Sequence, residues 1–298
     1  MCSFAFAGCS PGNSEDDPDT SSQEMDEQTI VTVSGGQIGG YAEDNLYIYK
    51  GIPYMASPVG ELRWQEPRPA TSWEGVKACM EYGPDFYQAI NAGGAAVSEE
   101  EGLTMNIWAP ADLSTAKEVL VYIHGGALMA GSGSSPEYDG TQIAKEGVVY
   151  ITFNYRLGNF SRFVSSELSE LSDCGASGNY HIKDCVAALE WINENISAFG
   201  GDPEKITIMG QSAGAELCSL LCLSPKAEGL FQQAVILSGN LMAKNDFATL
   251  EEMEELGDEL LNGRTIAEMR EMSARQVYLE TFPGLDFYCI DGVYITDN

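Results

Sequence analysis

An α/β fold, with a mainly parallel central sheet and helices on both faces, is what this sequence predicts. Three observations carry the expectation. Apolar runs lie at 118–126, 147–156, 205–210 and 233–239. Such runs suit strands buried on both faces of a sheet. Stretches with helical spacing separate several of them, and strands alternating with helices build a parallel sheet. The third run leads into Gly210-Gln211-Ser212-Ala213-Gly214, where a helix-like stretch begins.

The elements follow in order. Residues 1–9 contain Phe4-Ala5-Phe6-Ala7-Gly8-Cys9. Small residues before a cysteine resemble the lipobox of a bacterial lipoprotein signal, with Cys9 as the lipidated residue, although no basic residue precedes it. Residues 10–28 are polar and acidic, cannot bury enough surface to fold, and read as a flexible tether. An anchor and a tether imply an extracytoplasmic location, at the cell surface or secreted, with membrane attachment through the lipid. One domain spans 29–298. It opens with alternating, glycine-punctuated segments at 29–41 and 46–54, which read as antiparallel strands and hairpins. Residues 55–100 are loop-rich around Pro58, Pro67, Pro69 and Pro84, and 104–110 reads as a further strand. Residues 182–199 have helical spacing, with Ile182, Val186, Leu189 and Ile192 on one side. A second helix occupies 213–224. Beyond 245 the chain is acidic and helix-prone, then ends in a strand-like stretch and a turn.

The composition narrows the function. The 298 residues carry 45 acidic and 15 basic side chains, a net charge of −30. A surface of that sign repels nucleic acid and anionic lipid headgroups. No apolar run reaches the ~18 residues of a membrane span. The eight cysteines and two histidines fit no zinc spacing. Cys218 and Cys222 share a helix face and read as small core residues, whereas Cys174 and Cys185 leave pairing across a loop open.

The chemistry lies in Gly210-Gln211-Ser212-Ala213-Gly214. A G-x-S-x-G between a strand and a helix forms a sharp, strained turn that lifts the serine hydroxyl above the sheet. Ser212 is therefore the candidate nucleophile, with the helix N-terminus favouring negative charge beside it. His124-Gly125-Gly126-Ala127 ends an earlier strand. Glycines there let backbone N–H groups face a carbonyl oxygen, so Gly125, Gly126 and Ala213 are the candidate oxyanion hole. His124 reads as a brace for this loop rather than as a base. Chemistry on such a serine calls for no cofactor and no metal.

These motifs sit within longer stretches that resemble the type-B carboxylesterase family, which includes para-nitrobenzyl esterases, cholinesterases and the non-catalytic neuroligins. The matching stretches include 49–67, 102–110, 119–132, 147–158, 178–184, 188–215 and 224–239, in family order. The resemblance implies the α/β-hydrolase fold and hydrolysis of a small ester through an acyl intermediate on Ser212. It also implies a disulfide that this chain lacks, since its two positions fall at Gly102 and near Phe86. Two further departures are Asn159–Phe163, where the family has a tight turn, and His181, where it has a small residue.

Both histidines precede Ser212, whereas the family's order is serine, then acid, then histidine. The resemblance thus implies a C-terminally incomplete esterase, with His181 as the better substitute base. A neuroligin-like binding module and an inactive gene fragment are the alternatives.

Overall fold

The computed structural model describes residues 24–88, 98–239, 241 and 247–296. The lipobox-like segment with Cys9 and most of the tether lie outside the described residues. Folded structure begins inside the stretch read as tether. The Asp26 carboxylate caps a single turn at Glu27–Thr29, and its backbone N–H donates to Gly40 O at 3.1 Å.

The strands are β1 (Val31–Val33), β2 (Gly36–Gly39), β3 (Tyr41–Glu43), β4 (Leu46–Pro53), β5 (Val76–Ala78), β6 (Asp85–Phe86), β7 (Ser98–Glu99), β8 (Thr104–Pro110), β9 (Lys117–Ile123), β10 (Val149–Phe153), β11 (Gly201–Gln211), β12 (Gln233–Leu237), β13 (Ala248–Thr249) and β14 (Cys289–Ile290). The helices are α1 (Thr141–Lys145), α2 (Asn159–Arg162), α3 (Ser166–Leu171), α4 (Tyr180–Asn195), α5 (Ala213–Leu223), α6 (Leu250–Leu261), α7 (Ile266–Glu271) and α8 (Ala274–Leu279).

Seven strands make the central sheet, in the order β12-β11-β9-β10-β8-β4-β3. Pairings from β12 to β10 are parallel, and those from β10 through β8 and β4 to β3 are antiparallel. The apolar runs thus build the parallel half, and the N-terminal alternating segments contribute to the antiparallel half. Adjacent residues of one strand enter separate cores, as the two-residue period requires. Ile107, Val121 and Ile151 join the layer that holds α4 and α5. Trp108, Tyr122 and Tyr150 join the layer of Ala144 from α1. Full burial of such side chains contributes roughly 1.5–3 kcal/mol each.

A buried ion pair ties the sheet to α4. Arg156, just past β10, is bonded to Asp184 with contacts of 2.6–3.1 Å. The Arg156 backbone N–H also donates to Asp184 Oδ2 at 2.9 Å, and its guanidinium lies 4.6 Å from the Tyr180 ring centre. A single change to either partner would leave an unpaired charge in the core.

The helix-prone stretch after residue 245 breaks into three helices, each opened by a capping box: Thr249 with Glu252, Thr265 with Glu268, and Ser273 with Gln276. Core side chains finish two of them. Arg63 Nη1 donates to Met269 O, Arg270 O and Met272 O at 2.7–3.1 Å, satisfying carbonyls at the end of α7. Asn159 Nδ2 does the same for α8 through Val277 O, Tyr278 O and Glu280 O at 2.8–3.3 Å. Terminal carbonyls have no partner within their own helix, so these contacts dock α7 and α8 on the core. Asn159 lies in the departure noted above, and this is what its side chain does.

One open question about the cysteines is answered and one expectation is corrected. Cys174 and Cys185 are both free, with Cys185 fully buried and Cys174 half-buried in a surface loop. Cys218 is core, but Cys222, four residues later, is exposed because α5 is open to solvent at its C-terminal end. Among the described residues, no helix is long and apolar enough to cross a membrane.

Candidate active site

Strand β11 delivers Ser212 to the edge of α5. Its backbone has φ 55° and ψ −124°. A non-glycine residue held in such a conformation costs roughly 1–3 kcal/mol and persists only where its surroundings impose it. They do so here. Ser212 N–H donates to Leu237 O of β12 at 2.9 Å, and Ser212 O accepts from Ala215 N at 2.9 Å and Glu216 N at 3.0 Å. The flanking glycines are steric necessities. A Cβ at Gly210 would overlap Gly214 O, and one at Gly214 would overlap Ile123 O at the end of β9.

The loop after β9 lies directly against this turn. A Cβ at Gly125 would stand 3.3 Å from Ser212 Cβ and 2.7 Å from Gln211 O. Gly126 has φ +113°, and a Cβ there would overlap Ala130 O. The structure therefore brings Gly125 beside Ser212, with Gly126 next in the chain and Ala213 the buried first residue of α5. Backbone donors gathered at a helix N-terminus can stabilise an oxygen that gains negative charge.

His124 forms no hydrogen bond with Ser212, since its buried Nε2 has no hydrogen-bond partner. It is fully buried, its ring stacks on Tyr155 at 4.3 Å, and its Nδ1 bonds the Gly125 carbonyl at 2.8 Å. Burial pulls its pKa down to about 4, against a smaller opposing effect of that hydrogen bond. The ring is thus neutral near pH 7, with Nδ1 donating to Gly125 O. Tyr155 Oη donates to His124 O at 2.7 Å, so the brace is itself braced. His181 is fully buried on α4, edge-on to Tyr288 at 5.2 Å, and Tyr288 Oη donates to Glu216 Oε2 at 3.0 Å.

One contributor escaped the sequence reading. The Gln88 amide clamps Gly131 from both sides, donating to its carbonyl and accepting from its N–H, each at 2.9 Å. Gly131 backs directly onto the loop, since a Cβ there would lie 2.5 Å from Gly125 O. A lone glutamine after a proline-rich stretch has no local sequence signal; only its long-range partner reveals it. The positions of the missing disulfide also meet. A Cβ at Gly102 would be 2.5 Å from Asp85 O and 2.7 Å from Phe86 N. The Phe86 ring fills this region, fully buried and 5.5 Å from Phe160.

Known proteins resemble this chain in sequence and in fold. The model of the carboxylesterase family covers residues 27–272. Fumonisin B1 esterase from Sphingopyxis macrogoltabida is 38% identical over 259 residues, covering 86% of this chain and 47% of that protein. Para-nitrobenzyl esterase from Bacillus subtilis is 41% identical over 216 residues, 70% of this chain and 43% of that one. The solved carboxylesterase from Geobacillus stearothermophilus superposes with a TM-score of 0.77 at 37% identity, covering 90% of this chain and 58% of that one. This chain spans about half the length of the relatives it matches. It belongs to the carboxylesterase family.

Proposed function

We propose that this chain carries the nucleophile half of a carboxylic ester hydrolase. Ser212 Oγ attacks the ester carbonyl, the C–O bond to the alcohol breaks, and water releases the acid from the acyl-serine. The N–H groups of Gly125, Gly126 and Ala213 hold the oxyanion in both steps. The observation that carries this reading is the strained Ser212 backbone, pinned between β12 and α5 and facing the Gly125 loop. Relatives named as esterases support the reaction class.

A serine hydroxyl needs a base. His124 is turned to Gly125 O, and His181 is enclosed beside Tyr288. The proposed reaction therefore takes its base from neither of these two histidines. Residual catalysis without a full triad is only about 10³–10⁴ over water.

External base tests this directly. Hydrolysis of para-nitrophenyl acetate by the full chain, with imidazole added as base, should exceed that of Ser212→Ala by about 10²-fold, the lower end of what one oxyanion-hole donor contributes. An acetyl group should be trapped on Ser212 by mass spectrometry. Equal rates for the two folded proteins would rule the reading out. Attachment through a lipid on Cys9 is proposed with it, on the lipobox-like sequence alone.

A further inference from the structure

A second reactive cluster lies away from Ser212, where the loop after α3 meets α4. Three groups of different chemistry converge on one oxygen. Glu66 Oε1 accepts from Lys183 Nζ at 2.9 Å, from Ser172 Oγ at 2.7 Å and from Cys174 Sγ at 3.4 Å. Lys183 Nζ is 3.8 Å from Cys174 Sγ. The lysine side chain is fully buried, held also by Ala176 O at 2.7 Å and by the Tyr180 and Tyr294 rings. The thiol is half-buried and forms no disulfide. Cys174 thus keeps part of its surface in solvent, while the amine beside it is fixed in place. Gly175 follows at φ +72°, where an added Cβ would meet nothing within 4 Å.

We infer that Cys174 and Lys183 form a peroxide-driven covalent tie, a sulfur–nitrogen bond that locks this loop to α4. Hydrogen peroxide first converts the Cys174 thiol to a sulfenic acid, and one water is released. The Lys183 ammonium first passes one proton to the Glu66 carboxylate along the existing hydrogen bond, and the free amine then attacks the sulfur. The S–N bond forms, the S–O bond breaks, and the departing hydroxyl leaves as water with the second proton lost from the nitrogen. The sulfur loses two electrons, the peroxide gains them, and charge is conserved. Two equivalents of a small thiol reverse the step, restoring thiol and amine and leaving a disulfide of the reductant.

The ion pair resists the first proton transfer, and the product relieves that resistance. Burial acts to raise the Glu66 carboxyl, but the Lys183 ammonium and the Ser172 hydroxyl outweigh it and hold the pKa near 2. Once the ammonium becomes a neutral sulfenamide nitrogen, that hold disappears and Glu66 can keep the proton it received.

Peptide mapping of the full chain after hydrogen peroxide treatment tests the inference. The expected product is a peptide joining Cys174 to Lys183 that has lost two hydrogens, with tryptic cleavage after Lys183 abolished and dithiothreitol restoring both. Lys183→Arg keeps the charge beside Glu66 but should yield only sulfenic or higher acids at Cys174. Cys174→Ser should show neither change. The inference is overturned if native Cys174 proceeds to sulfinic acid while trypsin still cuts after Lys183. It is equally overturned if the tie forms as readily in urea-unfolded chain.

Discussion

The two strands that flank β11 are alike in sequence and unlike in environment. On the β9 side, Val119, Val121 and Ile123 are at most 1% exposed. On the β12 side, Val235, Ile236 and Leu237 are 38–46% exposed, and Leu223 at the end of α5 is 75% exposed. Successive residues of a strand point to opposite faces, so three exposed neighbours leave part of both faces of β12 uncovered among the described residues, although Ala234 packs against the core. Yet Ser212 is held from the open side, through Leu237 O. An apolar run thus specifies a strand able to be buried, while burial itself depends on what packs against it. An uncovered apolar edge is a site for pairing or aggregation.

Three measurements break or sharpen this contrast. The largest effect belongs to the closed flank. Arg156→Met strands the Asp184 carboxylate in the core and should cost about 3–5 kcal/mol in urea unfolding. A loss under about 1 kcal/mol would mean that the interior is far more solvated than its burial implies.

Acid is next. The pKa of His124 is about 4 in the folded chain, below its ordinary 6.5, so the unfolded chain binds the proton first. Stability is complete above about pH 6.5, declines as the pH falls, and this contribution levels off below about 4, for a total of about 3 kcal/mol. Glu66, lowered from 4.5 to about 2, adds a separate loss confined to that more acidic window. Urea titrations across this range should show the upper window vanish in His124→Asn. An unchanged slope there would remove His124 as its source.

The smallest effect compares the flanks directly. Ile208→Val, at a fully buried position of β11, should cost about 0.5–1.5 kcal/mol. Ile236→Val on the open edge should fall within about 0.5 kcal/mol of zero. Equal costs would show that β12 is covered in solution, by self-association or otherwise, and a concentration series would then reveal it.

Much of this molecule was legible from local signals. The strand at 104–110 and the turn at Ser212 depend on short-range patterns of apolar residues and glycines, whose steric demands are met within a few residues. The capping boxes at Thr249, Thr265 and Ser273 were equally local, although composition alone left this region as undivided helix-prone sequence. Residues with distant partners were not legible. Gln88 meets Gly131, Asn159 meets the end of α8, and Cys174 meets Lys183 and Glu66 only after the chain has folded.

By itself, the sequence determined the strand–turn–helix at Ser212 and the glycines that let the neighbouring loop approach it, because backbone sterics are local. Only the tertiary structure decided that His124 binds Gly125 O, that Cys222 and β12 face solvent, and that Lys183 is buried against a thiol. Burial and proximity are properties of packed neighbours, and side-chain chemistry follows from both.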